Sequence, residues 1–159
     1  MTRIRVQSIV VQDGSVLFGY GKGVHFFPGG QWEDGETAEE AALRELREEA
    51  NVEGTVLFDI VEPEIKIHQT PDSLYDRHVT FLVDIGDQTP AIGYDPEEAD
   101  TGENVSLAGI ELVPIKEPGR FTWIDIRYFA ALASECDKRG AIYPWLDDMK
   151  ELLRLWRVK

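Results

Sequence analysis

The segment from Thr37 to Asn51 constrains the fold more tightly than any other part of this chain. Thr37 is a helix N-cap residue, and Glu40, three positions on, completes a capping box. The interior, Ala38 to Ala50, consists of Ala, Leu, Arg and Glu, all strong helix formers. Asn51 follows at the place where a left-handed residue ends many helices, a conformation asparagine tolerates. The spacing predicts a helix over Thr37 to Ala50. On a wheel of about 100° per residue, Ala42, Leu43, Leu46 and Ala50 share one stripe, which must be buried. Glu40, Arg44 and Arg47 fall on the water side. Glu45, Glu48 and Glu49 fall within an arc of about 100° beside the buried stripe rather than opposite it. Such a helix needs a sheet to pack on and a crevice at its edge to receive three carboxylates.

Three carboxylates at these offsets repel one another. At about 5 Å and an effective dielectric of about 20, each pair costs about 3 kcal/mol. Arg44 serves Glu48 and pairs with Glu40, which leaves Glu45 and Glu49 without a local partner. A hard divalent cation removes the repulsion, and an all-oxygen ligand set favours Mg²⁺ or Mn²⁺ over zinc. The competing reading is a solvated acidic face, but such a face normally interleaves bases at these offsets.

The rest of the chain is strand-rich. Arg3 to Val11 is β-branched and runs into Asp13-Gly14, a strong hairpin signal, with Ser15 to Tyr20 as the return strand. Gly19 to Gly23 lacks the strand-loop-helix context and Ser/Thr of a phosphate loop, so it reads as a plain turn. Val24 to Phe27 reads as a short strand stopped by Pro28-Gly29-Gly30. Val52 to Ile60, Ile65 to His68, His78 to Ile85, Val105 to Ile115 and Phe121 to Ile124 also read as strands. Gly86 to Asn104 reads as a long loop. Asp125 to Cys136 and Trp145 to Val158 read as helices, the latter with Trp145, Met149, Leu152, Leu153 and Trp156 at helical offsets. No repeat or linker divides the chain, so 1–159 is expected to be one domain of α+β class.

The chain has 16 Lys and Arg against 30 Asp and Glu, a formal charge of -14. An acidic surface repels phosphate backbones, so nucleic acid is not an expected partner. The acids are clustered. Nine lie between Gln31 and Glu53, and eight from Asp84 to Glu111, a stretch with no Lys or Arg. No apolar run approaches the ~20 residues of a membrane helix. The basic start, Met1 to Gln7, has no apolar stretch behind it, so no signal peptide is expected. A single cysteine, Cys136, excludes an internal disulfide and suits a reducing compartment, with a cytoplasmic location expected.

The pattern Gly30-x5-Glu36-x7-Arg44-Glu45-Leu46-x-Glu48-Glu49-x-Asn51-Val52 resembles the box of the Nudix hydrolase family, MutT-like members included. One position departs: Asn51 stands where the family has Gly, and asparagine is the next-best residue for the left-handed backbone required there. Phe27-Pro28-Gly29-Gly30 resembles the family's lead-in. The resemblance implies a mixed β-sheet sandwiched between helices (α/β/α). It also implies Mg²⁺- or Mn²⁺-dependent hydrolysis of a nucleoside diphosphate linked to another group. Glu45, Glu48 and Glu49 resemble the metal-binding carboxylates, and the Gly29 carbonyl an additional ligand. Glu36 and Arg44 resemble the pair that braces helix against loop. The segment Gly102 to Ile110 is similar to one in triphosphate-cleaving members, whose extra carboxylate matches Glu103. Glu45 and Glu103 are the two candidates for general base.

The expected activity is therefore that of a nucleoside triphosphate pyrophosphohydrolase on a small-molecule nucleotide, from a monomer or homodimer. An ADP-ribose or nucleotide-sugar pyrophosphatase is the alternative. So is a nucleotide-sensing module without turnover, although no box carboxylate is missing. His25, His68 and His78 are candidate bases that read more readily as structural. Arg77 is a candidate phosphate contact, with a surface salt bridge to Asp76 or Asp84 as the plainer reading. Trp32, Phe27 and Tyr75 are candidate stacking residues, with core as the commoner reading for aromatics at strand spacing.

Overall fold

The structure is a computed structural model that describes residues 3–63, 75–93 and 107–157. Its strands are β1 (Ile4–Ile9), β2 (Val11–Gln12), β3 (Ser15–Gly21), β4 (Val24–Phe26), β5 (Gly29–Gln31), β6 (Thr55–Ile60), β7 (Arg77–Asp84) and β8 (Gly109–Pro114). The helices among the described residues are α1 (Ala38–Ala50), α2 (Trp123–Arg139) and α3 (Leu146–Arg157). One sheet has the order β5-β1-β7-β6. It is mixed, because β1 runs antiparallel to β5 and parallel to β7, while β6 and β7 are antiparallel. The second sheet is antiparallel, with β3 paired to β2, β4 and β8.

Alternation along the strands explains the layering. Val16 and Phe18 of β3 join one buried cluster, while Leu17 joins the other. Leu82 of β7 joins the first cluster, and Phe81 and Val83 the second. The first cluster contains Phe129, Leu132 and Cys136 of α2 with Met149 and Leu152 of α3. The second contains Ala41, Ala42, Leu46 and Ala50 of α1. A β layer between α1 on one face and α2 and α3 on the other is the expected α/β/α arrangement. Burying one side chain the size of Leu46 stabilises by about 1.5–3 kcal/mol, so α1 is held chiefly by its apolar stripe.

The expected capping box is present: Thr37 accepts from the Glu40 N–H and Glu40 from the Thr37 N–H. Asn51 is left-handed, at φ 54° and ψ 41°. The β2–β3 turn places Asp13 and Gly14 at φ 49° and 75°, as a tight hairpin requires. Two strand expectations are corrected. Phe121 to Ile124 is not a strand. Thr122 caps α2 and Asp125 completes a second capping box, so the apolar residues there dock the start of a helix. Gly29 and Gly30 do not simply stop a strand: with Gln31 they form β5, paired to β1 with Gln7 opposite Gly29. No bulky side chain fits at Gly29, where a Cβ would lie 2.1 Å from the Val6 carbonyl oxygen. The expected strand at Ile65 to His68 lies outside the described residues, as does most of the loop after Gly86. No described helix is long and apolar enough to cross a membrane.

Candidate active site

The edge of α1 that carries the three carboxylates lies over β5. Glu45 and Glu49 are buried, at 1% and 6% exposure, despite their charge. Gly30 makes this possible. A Cβ there would stand 2.4 Å from Glu45 Oε1, so only glycine lets the carboxylate rest on the strand. The Gly29 N–H donates to Glu49 Oε1 at 3.3 Å. Helix and strand therefore meet through side-chain carboxylates and bare backbone.

Arg44 does not face open water as the wheel suggested. Its side chain is 19% exposed and folds over the helix start. Nε and Nη2 donate to Glu36 Oε2 and Oε1 at 3.0 and 2.8 Å, and Nη2 also donates to the Gln31 carbonyl at 3.1 Å. Nη1 reaches Glu45 Oε1 at 2.9 Å and Glu48 Oε2 at 3.3 Å. The expectation that Glu45 and Glu49 lack a local partner therefore fails, because a wheel shows offsets along a helix but not a side chain lying across it. The Glu36 carboxylate holds the guanidinium more firmly protonated than usual, and the guanidinium holds the Glu36 carboxyl below the usual carboxylate range. Glu36 is itself fixed, accepting the Glu33 N–H at 3.0 Å, while its carbonyl accepts the Trp32 indole N–H at 2.8 Å.

Glu45, Glu48 and Glu49 form an all-oxygen donor set of the kind that suits a hard divalent cation. As the side chains stand, no three His, Cys, Asp or Glu among the described residues converge closely enough to hold a metal. Arg44 supplies the positive charge in their midst. The close seat that Gly30 gives Glu45 is the feature that fits a ligating carboxylate. Glu103 lies outside the described residues. The last residue described before that segment, Gly93, donates its N–H to the Glu49 carbonyl at 2.9 Å, and Ala91 donates to Ala50 at 3.0 Å. These bonds satisfy carbonyls at the end of α1 that a helix leaves open.

Beside β5 lies a cavity of about 760 Å³. Arg5 and Gln7 of β1 and Phe27 form its floor, and His78, His25 and Tyr128 stand around it. Arg5 Nη2 donates to the Phe27 carbonyl at 2.8 Å, two residues before Gly29. Gln7 Nε2 donates to Thr80 Oγ1 at 2.9 Å beneath the floor. Burial, with Glu62 nearby, pushes the Tyr128 hydroxyl up to about 12, which keeps it a donor. Burial and the Arg5 charge hold the His78 imidazole below its ordinary value, despite Glu62 Oε1 at 3.2 Å from Nδ1.

The structure places the sequence candidates unevenly. Gly29, Gly30, Glu36, Arg44, Glu45, Glu48 and Glu49 form one connected cluster. Arg77 is exposed at the start of β7 and is not part of the cavity lining, whereas Arg5 is. His25 and His78 line the cavity, and His68 lies outside the described residues. Tyr75 lines the cavity as well, with Arg5 above its ring at 6.0 Å. Phe27 does so while remaining a core residue. Trp32 packs against the α1 cluster. Sequence reasoning missed Arg5, Gln7 and Asp125. Alternation in β1 puts Arg5 and Gln7 on one face and was a usable signal for them.

The family model of the NUDIX domain matches residues 2–132. Among solved structures, a NUDIX-family hydrolase from Clostridium perfringens is 17% identical, with a TM-score of 0.57 over 81% of this chain and 93% of that one. A MutT NUDIX hydrolase from Burkholderia pseudomallei is 19% identical, with a TM-score of 0.52 over 72% of this chain and 84% of that one. A UDP-X diphosphatase is 20% identical, with a TM-score of 0.52 over 72% of this chain. The chain spans 52% of that last structure and 57% of another Nudix hydrolase, from Nitrosomonas europaea. No curated protein matches the chain. With the family model covering most of its length, and with the box residues gathered on α1, β5 and the turn between them, the chain belongs to the Nudix family of hydrolases.

Proposed function

We propose that this chain hydrolyses a phosphoanhydride in a nucleoside triphosphate, releasing pyrophosphate and a nucleoside monophosphate, with Mg²⁺ or Mn²⁺. The observation that carries the proposal is the shared segment Phe27 to Gly30, which leads into β5. At one end Gly29 and Gly30 seat Glu49 and Glu45; at the other Phe27 floors the cavity under the Arg5 guanidinium. Phosphates at the carboxylates and a nucleoside in the cavity are then neighbours on one molecule.

In this reading Glu45, Glu48 and Glu49 hold the divalent cation, with the Gly29 carbonyl as a further oxygen. When bound, the cation neutralises phosphate charge and lowers the pKa of water. The remaining work belongs to the chain. Glu45 or Glu103 takes the proton of the attacking water. Arg44, held by Glu36, fixes the helix edge against β5, since ligand carboxylates need neighbours that set their orientation. Arg5 holds the Phe27 carbonyl and so the lead-in to Gly29. The cavity walls take the nucleoside and exclude solvent from it.

The test is a screen of nucleoside triphosphates and ADP-ribose with Mg²⁺, reading phosphate or pyrophosphate release alongside nucleoside monophosphate. Pyrophosphate from a triphosphate is the expected result. Turnover of ADP-ribose alone moves the reading to the nucleotide-sugar class. No turnover of any diphosphate, with nucleotide binding intact, leaves a sensing module in its place.

A further inference from the structure

The wall of the cavity nearest α2 is made by two residues a hundred positions apart. His25, on β4, brings Nε2 to 2.5 Å from Asp125 Oδ2. The same oxygen accepts the Thr122 N–H at 2.8 Å, and Thr122 Oγ1 accepts the Asp125 N–H at 3.2 Å. The His25 ring lies on Phe18, with centroids 4.2 Å apart. The Asp125 side chain is 6% exposed and that of His25 19%, so the pair has little room to turn.

A helix N-terminus that opens on a cavity ordinarily draws an anion, because its first N–H groups carry partial positive charge. Here the chain's own carboxylate fills that place. Thr122 by itself suffices as a cap residue. A buried aspartate held also by a histidine of another element goes beyond what capping needs. The other charges around the cavity point the same way. Glu62 and Asp76 add two more carboxylates to the lining. Against them stand Arg5, which keeps its charge while donating to the neutral Phe27 carbonyl, and Arg120, which is offset by Glu111. A negatively charged group entering here meets three carboxylates against one guanidinium, Arg5, that no carboxylate offsets. A flat neutral group meets aromatic faces and an acceptor.

We propose that Asp125 is the specificity-determining residue for the group that the substrate carries beyond its phosphates, with His25 as its positioning residue. The cavity takes a neutral ring that presents N–H donors and turns away a ring that bears negative charge. This rests on the hydrolase reading above for the placing of the phosphates, but its test does not use turnover.

The test is calorimetric binding of two probe pairs to the full chain in Mg²⁺. One pair is guanosine and xanthosine 5′-monophosphate, the latter with a ring that loses a proton near neutral pH. The other is cytidine and orotidine 5′-monophosphate, the latter with a carboxylate on its ring. In the pair that binds better, the neutral member is expected to bind about tenfold tighter or more, the scale of an unfavourable like-charge contact. Asp125→Asn removes the charge and keeps an oxygen for Thr122. It should weaken the neutral ligand and strengthen the anionic one, bringing the ratio close to one. His25→Gln leaves the capping box intact and should lower the ratio in the same direction, so it decides the matter if Asp125→Asn does not fold. A role in capping alone shifts the melting temperature and leaves the ratio where it was. That result, a wild-type ratio near one, or binding of none of the four probes overturns the proposal. The hydrolase reading is scored apart from it, by Mg²⁺-dependent pyrophosphate release.

Discussion

Arg44 and Glu36 meet in a two-pronged contact, at 3.0 and 2.8 Å, that ties the first half of α1 to the turn before it. The same guanidinium reaches the Gln31 carbonyl of β5, so one side chain joins helix, turn and strand. Such bidentate, charge-assisted pairs are the stronger kind of ion contact, and Lys cannot reproduce their geometry.

The Arg44 charge lowers the Glu36 pKa in the folded chain. The stability from Glu36 is therefore complete above the unfolded carboxylate value of about 4.3 and is lost as pH falls through the lower folded value. Thermal unfolding of Glu36→Gln should show a loss of about 1.5–3 kcal/mol at neutral pH, the range for a hydrogen bond to a charged group. The gap between wild type and variant should close on acidification below about pH 4. A gap that is constant with pH would mean that shape, not charge, makes the contact.

Gly30→Ala puts a methyl group 2.4 Å from Glu45 Oε1, which forces the carboxylate off β5. Overpacking of this kind costs about 1–3 kcal/mol. Turnover should fall further than the melting temperature alone explains, by roughly the 10²-fold that accompanies a misplaced reacting group. A folded Gly30→Ala chain with wild-type turnover would remove Glu45 from the chemistry.

Mg²⁺ or Mn²⁺ should raise the melting temperature, because the carboxylates are gathered only in the folded chain. At 100 times the dissociation constant the gain is about 2.7 kcal/mol. Glu48→Gln and Glu49→Gln should each shrink that gain and lower turnover by about 10²-fold or more, on the scale of other positioned electrostatic groups. Either variant should still fold, since a Gln amide oxygen can keep the contact that Glu48 makes with Arg44 or Glu49 with the Gly29 N–H. Calorimetry without a heat of binding for either cation, with nucleotide present or absent, counts against the metal assignment.

Glu103→Gln compared with Glu98→Gln isolates the general base. General-base work contributes about 10² to 10⁴-fold, so a loss in that range for Glu103→Gln alone assigns it the role and leaves Glu45 as a ligand. Near-wild-type rates for both variants on a nucleoside triphosphate and on ADP-ribose remove Glu103 from the site.

What the sequence by itself determined is whatever short-range geometry controls. Helix α1 was readable because its cap, its periodicity and its left-handed terminus at Asn51 involve residues at most a few positions apart. The same periodicity placed Glu45, Glu48 and Glu49 at the edge of the buried stripe, and the hairpin at Asp13-Gly14 was readable for the same reason. Tertiary structure alone decided the rest. Strand β5 exists because β1 lies beside it, and three residues rich in glycine carry no strand signal of their own. Phe121 to Ile124 looked like a strand because a short apolar run has no period, and only the Thr122–Asp125 box, with its packing, makes it a helix start. The Arg44–Glu36 pair was implied by the resemblance of the box, but the reach of the same guanidinium to the Gln31 carbonyl and to Glu45 came from the fold. The cavity is built from β1, β4, β7 and α2, and its His25–Asp125 wall joins residues a hundred positions apart. No local spacing encodes such contacts. They follow from the order in which the sheets pair and from which helix packs on which face.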